Sequence, residues 1–193
     1  MLTFDEDSHT YRWHNQVVPS VTQILAPMLD YSNVPAENLR RAQLLGTYVH
    51  KTTELYDLND LDFDTLPDEI APYLNAWIKF KRECEFEPAT VEQKLYHKQL
   101  GYSGTSDRTG LIRGRMAVID IKKMLSLGPV IGMQLAAYKE LHTHAGQKVL
   151  DRYALGLRSD GTYRMVPYKD ESDYAAFMSL LTLRNWRLKH GIA

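Results

Sequence analysis

The segment "RMAVIDIKK", Arg115 to Lys123, is the tightest constraint on what this chain can fold into. Its aliphatic residues occupy odd and even positions alike, and a strand apolar on both faces is stable only where other layers cover both faces. Asp120 and Lys122 nevertheless close the run. Burying a charge without a partner costs on the order of several kcal/mol. The chain therefore needs a covered central strand with a purpose, or a partner, for charge at one end.

The rest of the sequence supplies the layers. "ATVEQKLYH", "YSGTSDRTG" and "RGRMAVIDIKK" are extended runs joined by short glycine-bearing connections, so antiparallel neighbours are expected, with Gly110 to Gly114 as the second turn. Upstream, "TFDEDSHTYRW" reads as a hairpin around Asp7 and Ser8, and Pro19 leads into a helix capped by Ser20. "PAENLRRAQLLGTYVHKTTELYDL" has helical spacing, with Leu39, Ala42, Leu45, Val49 and Leu55 on one side and Pro35 in the first turn. A second helix is predicted from Pro67 to Phe86 on the stripe Ile70, Leu74, Trp77 and Ile78.

Downstream, a helix begins near Val130 and stops at Gly146, a hairpin turns at Ser159, Asp160 and Gly161, and a last helix spans Tyr174 to Lys189. The sum is an α/β chain: a central mixed sheet flanked by helices on both faces, with an N-terminal β-hairpin. No repeat or linker divides it, so residues 1–193 read as a single domain.

Bulk composition excludes more than it assigns. With 44% hydrophobic and 24% charged residues and a net charge of -1, the chain has an ordinary globular make-up and no global basic signal for an anionic partner. Locally, Glu54 to Glu69 holds seven acidic residues and no basic one, whereas Lys94 to Lys123 holds seven basic against two acidic. This is either a solvated loop beside an ordinary surface, or a basic face with the acidic loop turned away from an anionic ligand.

Cys84 is the only cysteine, which excludes an internal disulfide, a cysteine-ligated zinc site and an iron–sulfur cluster, and fits a reducing compartment. The start of the chain lacks the basic and apolar regions of a secretory signal, and uncharged runs fall short of a membrane span. A soluble cytoplasmic protein, with no membrane partner, is the expectation.

Side chains two apart on a strand share a face, so Asp120 and Lys122 point into one space. Asp107 joins them if the hairpin register cooperates, as pairing near Thr105 to Asp120 would allow; a slip of one residue would turn it away. Two carboxylates together repel unless a cation sits between them, and hard oxygen ligands suit Mg²⁺ or Mn²⁺. The alternative is a buried Asp–Lys ion pair, a weak source of stability.

"GTSDRTG", "AVIDIKK" and "GMQLAAY", in that order, together with "GTYVH" and "VPSVTQIL" upstream, resemble the PD-(D/E)XK nuclease superfamily and within it the RecB-like and phage exonuclease branch. The resemblance implies a restriction-endonuclease-like core and a metal-dependent deoxyribonuclease, most simply an exonuclease of recombination, repair or replication. Asp107 and Asp120 match the metal-binding carboxylates, Lys122 the catalytic lysine, Ile121 a ligand through its carbonyl, and His50 the extra histidine ligand. Gln134 and Tyr138 match the Q-x-x-x-Y element, one helical turn apart.

The implied cofactor is one or two Mg²⁺ or Mn²⁺ ions and the implied partner is DNA, with recombination or replication proteins as further candidates. Glu92 alternates with Val91 on the strand before the motif and is either an ordinary strand residue or, as the resemblance implies, a glutamate facing the site; Glu54 is either an exposed residue or an orienter of His50, and Arg108, Arg113 and Arg115 are candidate phosphate contacts. Arg184, Arg187, Lys189 and His190 either track a nucleic-acid backbone or complement a helix C-terminus. One departure is Lys123, where the family usually has Thr or Ser. A binding module that has lost catalysis, and a structure-specific or nicking endonuclease, are the competing functions.

Overall fold

A computed structural model describes residues 1–6, 8–123 and 127–192. The first three strands, β1 (Leu2–Asp5), β2 (Thr10–Trp13) and β3 (Gln16–Val18), form an antiparallel sheet of order β1-β2-β3. The expected hairpin is thus extended by a third strand. His14 and Asn15 link β2 to β3 with φ of 47° and 65°, the left-handed pair that a two-residue hairpin loop requires. No glycine marks that turn, which is why a sequence reading passes over it. The β1–β2 turn was expected around Asp7 and Ser8; Asp7 lies outside the described residues, and Ser8 donates from its amide to Asp5 Oδ1 at 2.8 Å.

Helix α1 (Val21–Leu25) begins at Ser20 with a complete capping box: the Ser20 hydroxyl accepts from the Gln23 amide, and the Gln23 side chain accepts from the Ser20 amide. Helix α2 (Ala36–Asp57) has Pro35 at its N-cap rather than inside its first turn. The predicted apolar side is only partly realised: Val49 is buried, but Ala42 is exposed and Leu39, Leu45 and Leu55 are half-buried. The covering layers, α3 (Ala71–Glu83) and strand β4 (Glu87–His97), reach only the second half of α2, where Val49, Thr52 and Thr53 are buried.

Helix α3 is shorter than predicted at both ends. Pro72 sits in its first turn, where a missing N–H is no loss, and Glu85, at φ 50°, turns the chain out after Cys84.

The main sheet has the order β4-β5-β6-β7-β8, with β5 (Tyr102–Ile112), β6 (Arg115–Lys122), β7 (Asp151–Leu157) and β8 (Tyr163–Pro167). All neighbours are antiparallel except β6 and β7, which run parallel and are joined through α4 (Val130–His144), as a parallel pair demands. Gly146, at φ 83°, ends α4 and Gly161, at φ 76°, turns β7 into β8, both as expected. The last helix, α5, covers Ser172–Lys189.

Two cores sandwich the sheet. Ala117, Ile119 and Ile121 of β6 face Leu74, Trp77 and Phe80 of α3, while Val118 faces Leu135, Leu141 and Phe177 of α4 and α5. The protein is an α/β fold with helices on both faces of a mixed sheet, and β6 is the strand buried on both sides. Among the described residues, no helix is long and apolar enough to cross a membrane.

Candidate active site

The site forms where β5 and β6 part company. Their ladder runs from Ile112↔Arg115 to Arg108↔Ile119 and stops there. Along β5 the alternation of faces also switches at this point. Tyr102, Gly104 and Ser106 touch α4, whereas the even-numbered Arg108 and Ile112 touch the α3 side. Asp107 sits at the switch. Its carboxylate enters the gap, and Oδ2 accepts the Ile121 amide at 2.6 Å, replacing a ladder hydrogen bond with a side-chain one.

The ladder is offset by two residues from the expected pairing of Thr105 with Asp120, so Asp107 keeps the expected face, while the residues before it on β5 are turned over by the switch. The charge of Asp107 reaches Asp120, although the strands splay between them.

Two glycines let the segment lie this close to its neighbours. A Cβ on Gly104 would stand 2.8 Å from the Tyr138 ring, and one on Gly110 would stand 2.2 Å from the Glu87 carbonyl oxygen. The glycines of "GTSDRTG" are thus packing requirements.

Three donors converge beside Asp107. His50 Nδ1 lies 3.6 Å from Asp107 Oδ2 and 4.0 Å from Glu92 Oε1, and one ligand atom from each of these residues falls within 4.8 Å of the other two. An octahedral ion with ligands near 2.1 Å has neighbouring donors about 3 Å apart and opposite donors about 4.2 Å apart. The trio fits that size, and one imidazole with two carboxylates suits Mn²⁺ or Mg²⁺. Glu92 reaches its place through an unusual backbone, with φ 46°, a conformation costing about 1–3 kcal/mol that the surroundings must enforce.

Asp120 and Lys122 form the adjoining half of the site. Lys122 Nζ donates to Asp120 Oδ1 at 2.9 Å and stands 2.7 Å from Oδ2, but Oδ2 is buried without a well-directed hydrogen bond. That lone pair is an acceptor still open to a cation or a water. Burial, and the negative charge of Asp107, push Asp120 above the usual carboxylate range against the pull of Lys122. Burial and Glu92 likewise raise Asp107, opposed by His50 and Lys122. Burial would lower His50 and Lys122, yet the neighbouring carboxylates outweigh it and raise both.

No family model and no curated protein matches the chain. The fold does have solved counterparts. A candidate exonuclease from Eubacterium rectale superposes with a TM-score of 0.54 at 14% identity, covering 77% of this chain and 69% of that one. An alkaline exonuclease from Laribacter hongkongensis aligns over 89% of this chain and 91% of its own at 13% identity, with a TM-score of 0.43. The same enzyme in complex with dAMP gives 12% identity and 0.43 over 90% and 89% of the two chains. At such identities the first likeness is one of fold.

The remaining sequence candidates divide. Gln134 Nε2 donates to the Tyr138 hydroxyl at 3.1 Å, and burial together with Asp120 and Asp107 holds that phenol well above its ordinary value. Glu54 pairs with Lys51 at 3.0 Å instead of orienting His50.

Arg108, a candidate phosphate contact in the sequence, turns inward. It is fully buried and lies 5.5 Å from the Trp77 ring centroid; its Nη1 donates to Glu92 Oε1 at 2.9 Å and to the Asp107 carbonyl at 2.6 Å. Arg113 and Arg115 sit at the β5–β6 turn, about 16 Å along β6 from Asp120, and Arg115 is paired with Asp151 at 2.7 Å.

The basic run forms no single face, since Lys94 lies over Phe4 and Lys98 over Trp13 on the N-terminal sheet. Lys123, half-buried, follows β6 directly; Met124 lies outside the described residues. Asp57, near the end of the predicted helix and within the acidic stretch Glu54 to Glu69, is buried against Arg108. Its spacing from His50 and Thr53 on α2 was the signal that could have found it.

Proposed function

We propose that the protein is a metal-dependent deoxyribonuclease, acting as one unit over residues 1–193 and hydrolysing phosphodiester bonds, most simply from DNA ends. The observation that carries this reading is the convergence of His50, Glu92 and Asp107 within 4.8 Å, beside the Asp120–Lys122 pair at the splayed end of a buried strand. The motif resemblance and the fold shared with a candidate exonuclease support it.

Asp107, Glu92 and His50 would hold a Mg²⁺ or Mn²⁺ ion, with Asp120 and the Ile121 carbonyl completing the ligand set. Such an ion polarises a phosphoryl oxygen and lowers the pKa of a bound water. Lys122, anchored by Asp120, offers an ammonium to the attacking water or to the charge that grows on the phosphate. Tyr138, held neutral and steadied by Gln134, offers a hydroxyl to the same space. Glu92 takes a larger part than its position in the sequence suggests, as a ligand rather than a bystander.

The test is incubation of end-labelled linear and closed circular DNA with Mg²⁺ or Mn²⁺. Loss of the linear substrate alone, abolished by chelation and by Asp120→Ala or Lys122→Ala, is the expected result. Cutting of the circle would turn the reading to an endonuclease. DNA binding with no cleavage in either metal would leave a binding module on a nuclease fold.

A further inference from the structure

Behind the site lies a buried charge network anchored by Asp57, a residue that none of the motifs includes. Asp57, its side chain 0% exposed, accepts from Trp77 Nε1 at 3.1 Å, Lys81 Nζ at 2.5 Å and Arg108 Nε at 2.7 Å. Arg108 is equally buried. Its Nη1 donates to Glu92 Oε1 and to the Asp107 carbonyl, and its Nη2 donates to Thr53 Oγ1 at 3.3 Å. Thr53 in turn donates to the His50 carbonyl at 2.9 Å. Each member of the His50, Glu92 and Asp107 trio is thus tied to one guanidinium, directly or through a single residue.

The geometry points to Asp57 as a positioning residue for the candidate metal site, acting through Arg108. This rests on the reading of His50, Glu92 and Asp107 as metal ligands. A guanidinium is planar with donors in a fixed fork, so anchoring one edge orients the other. Asp57 anchors the Nε edge while Trp77 covers a face, and the remaining edge is left to hold Glu92, whose left-handed backbone would otherwise relax.

The charge arithmetic points the same way. Asp57, shared between Arg108 and Lys81, takes up part of the positive charge that faces Glu92, which leaves that carboxylate freer to attract a cation. Without Asp57, the guanidinium would draw on Glu92 more strongly and would compete with the ion for it. A role confined to fastening α2 to α3 would change stability and leave metal affinity untouched, so the two roles separate experimentally.

The experiment titrates Mn²⁺, without DNA, into the full chain, Asp57→Asn and Thr53→Val by calorimetry, with urea unfolding to establish that each is folded. Partners that orient metal ligands typically contribute about 10–100-fold in affinity. Asp57→Asn is expected to bind Mn²⁺ about tenfold or more weakly while folded, and Thr53→Val, close to isosteric, more than threefold more weakly. A folded Asp57→Asn within threefold of the parent overturns the inference. Should Asp57→Asn not fold, Thr53→Val decides by the same threshold. A parent that binds no Mn²⁺ overturns the metal reading and this inference with it, whereas binding unchanged by either substitution overturns this inference alone.

Discussion

The Ile121 amide donates to the Asp107 carboxylate at 2.6 Å, across the point where β5 and β6 stop pairing. One hydrogen bond thereby joins the two strands that bring in the candidate ligands, and it leaves the Ile121 backbone beside Asp107 and Asp120.

Asp107→Asn retains a carbonyl oxygen that can accept from Ile121, whereas Asp107→Ala leaves a buried amide without a partner. We expect both to lose nuclease activity by at least about 10³-fold, and only the alanine variant to lose a further ~1–3 kcal/mol of stability. Urea unfolding beside a cleavage assay checks this. Equal stability of the two variants would show that the bond contributes nothing to the fold.

Gly110→Ala would drive a Cβ to 2.2 Å from a backbone oxygen, which no rotamer change relieves, and at Gly104 the first obstacle is the Tyr138 ring edge at 2.8 Å. Overpacking of a tight interior typically costs about 1–3 kcal/mol. Gly110→Ala is expected at or above the upper end, and Gly104→Ala is expected to cost less stability but to lower activity by shifting Tyr138. A tolerated Gly110→Ala, with an unchanged unfolding midpoint, would contradict the close approach.

His142 is buried between Ser106 Oγ at 2.7 Å and Gln147 Oε1 at 2.5 Å. Burial lowers its pKa, against the opposing pull of Gln147. The unfolded chain therefore holds the proton more tightly. Stability from this group is complete above its unfolded value of about 6.5 and falls as pH drops through that value toward the folded one, with a slope of at most about 1.4 kcal/mol per pH unit. His142→Gln should lose less stability than the parent between pH 7.5 and pH 5.0. Parallel losses in urea unfolding would rule His142 out as the source.

Arg115 pairs with Asp151 on the surface, with the arginine side chain 61% exposed, so Arg115→Ala should leave the unfolding midpoint in urea close to the parental one. Because it lies at the far end of β6, cleavage and DNA affinity should stay near the parental values. A large fall in DNA affinity would place substrate at the turn, away from Asp120.

How much of the site could be read beforehand varied with the distance over which each contact acts. Asp120 and Lys122 share a face because they lie two apart on one strand, and the Ser20 capping box is equally local, so both were legible. Arg108 was not. It follows Asp107 directly and has the composition of a phosphate contact, and nothing local says that α2 and α3 close over it. Glu92 was half-legible: its alternation on β4 was visible, but its left-handed backbone, which aims the carboxylate at His50, comes from the fit between strands.

Periodicity, caps and turn residues act within a few positions, and they were enough to order the main elements apart from β3 and to find the doubly covered β6 and the pairing of β5 with β6. Which charges are buried, and against which partners, depends on segments far apart in the chain, 55 residues in the case of Thr53 and Arg108. Desolvation and hydrogen bonding are properties of the closed layers, so the role of Asp57 as a buried anchor appears only once α2, α3 and β5 have met.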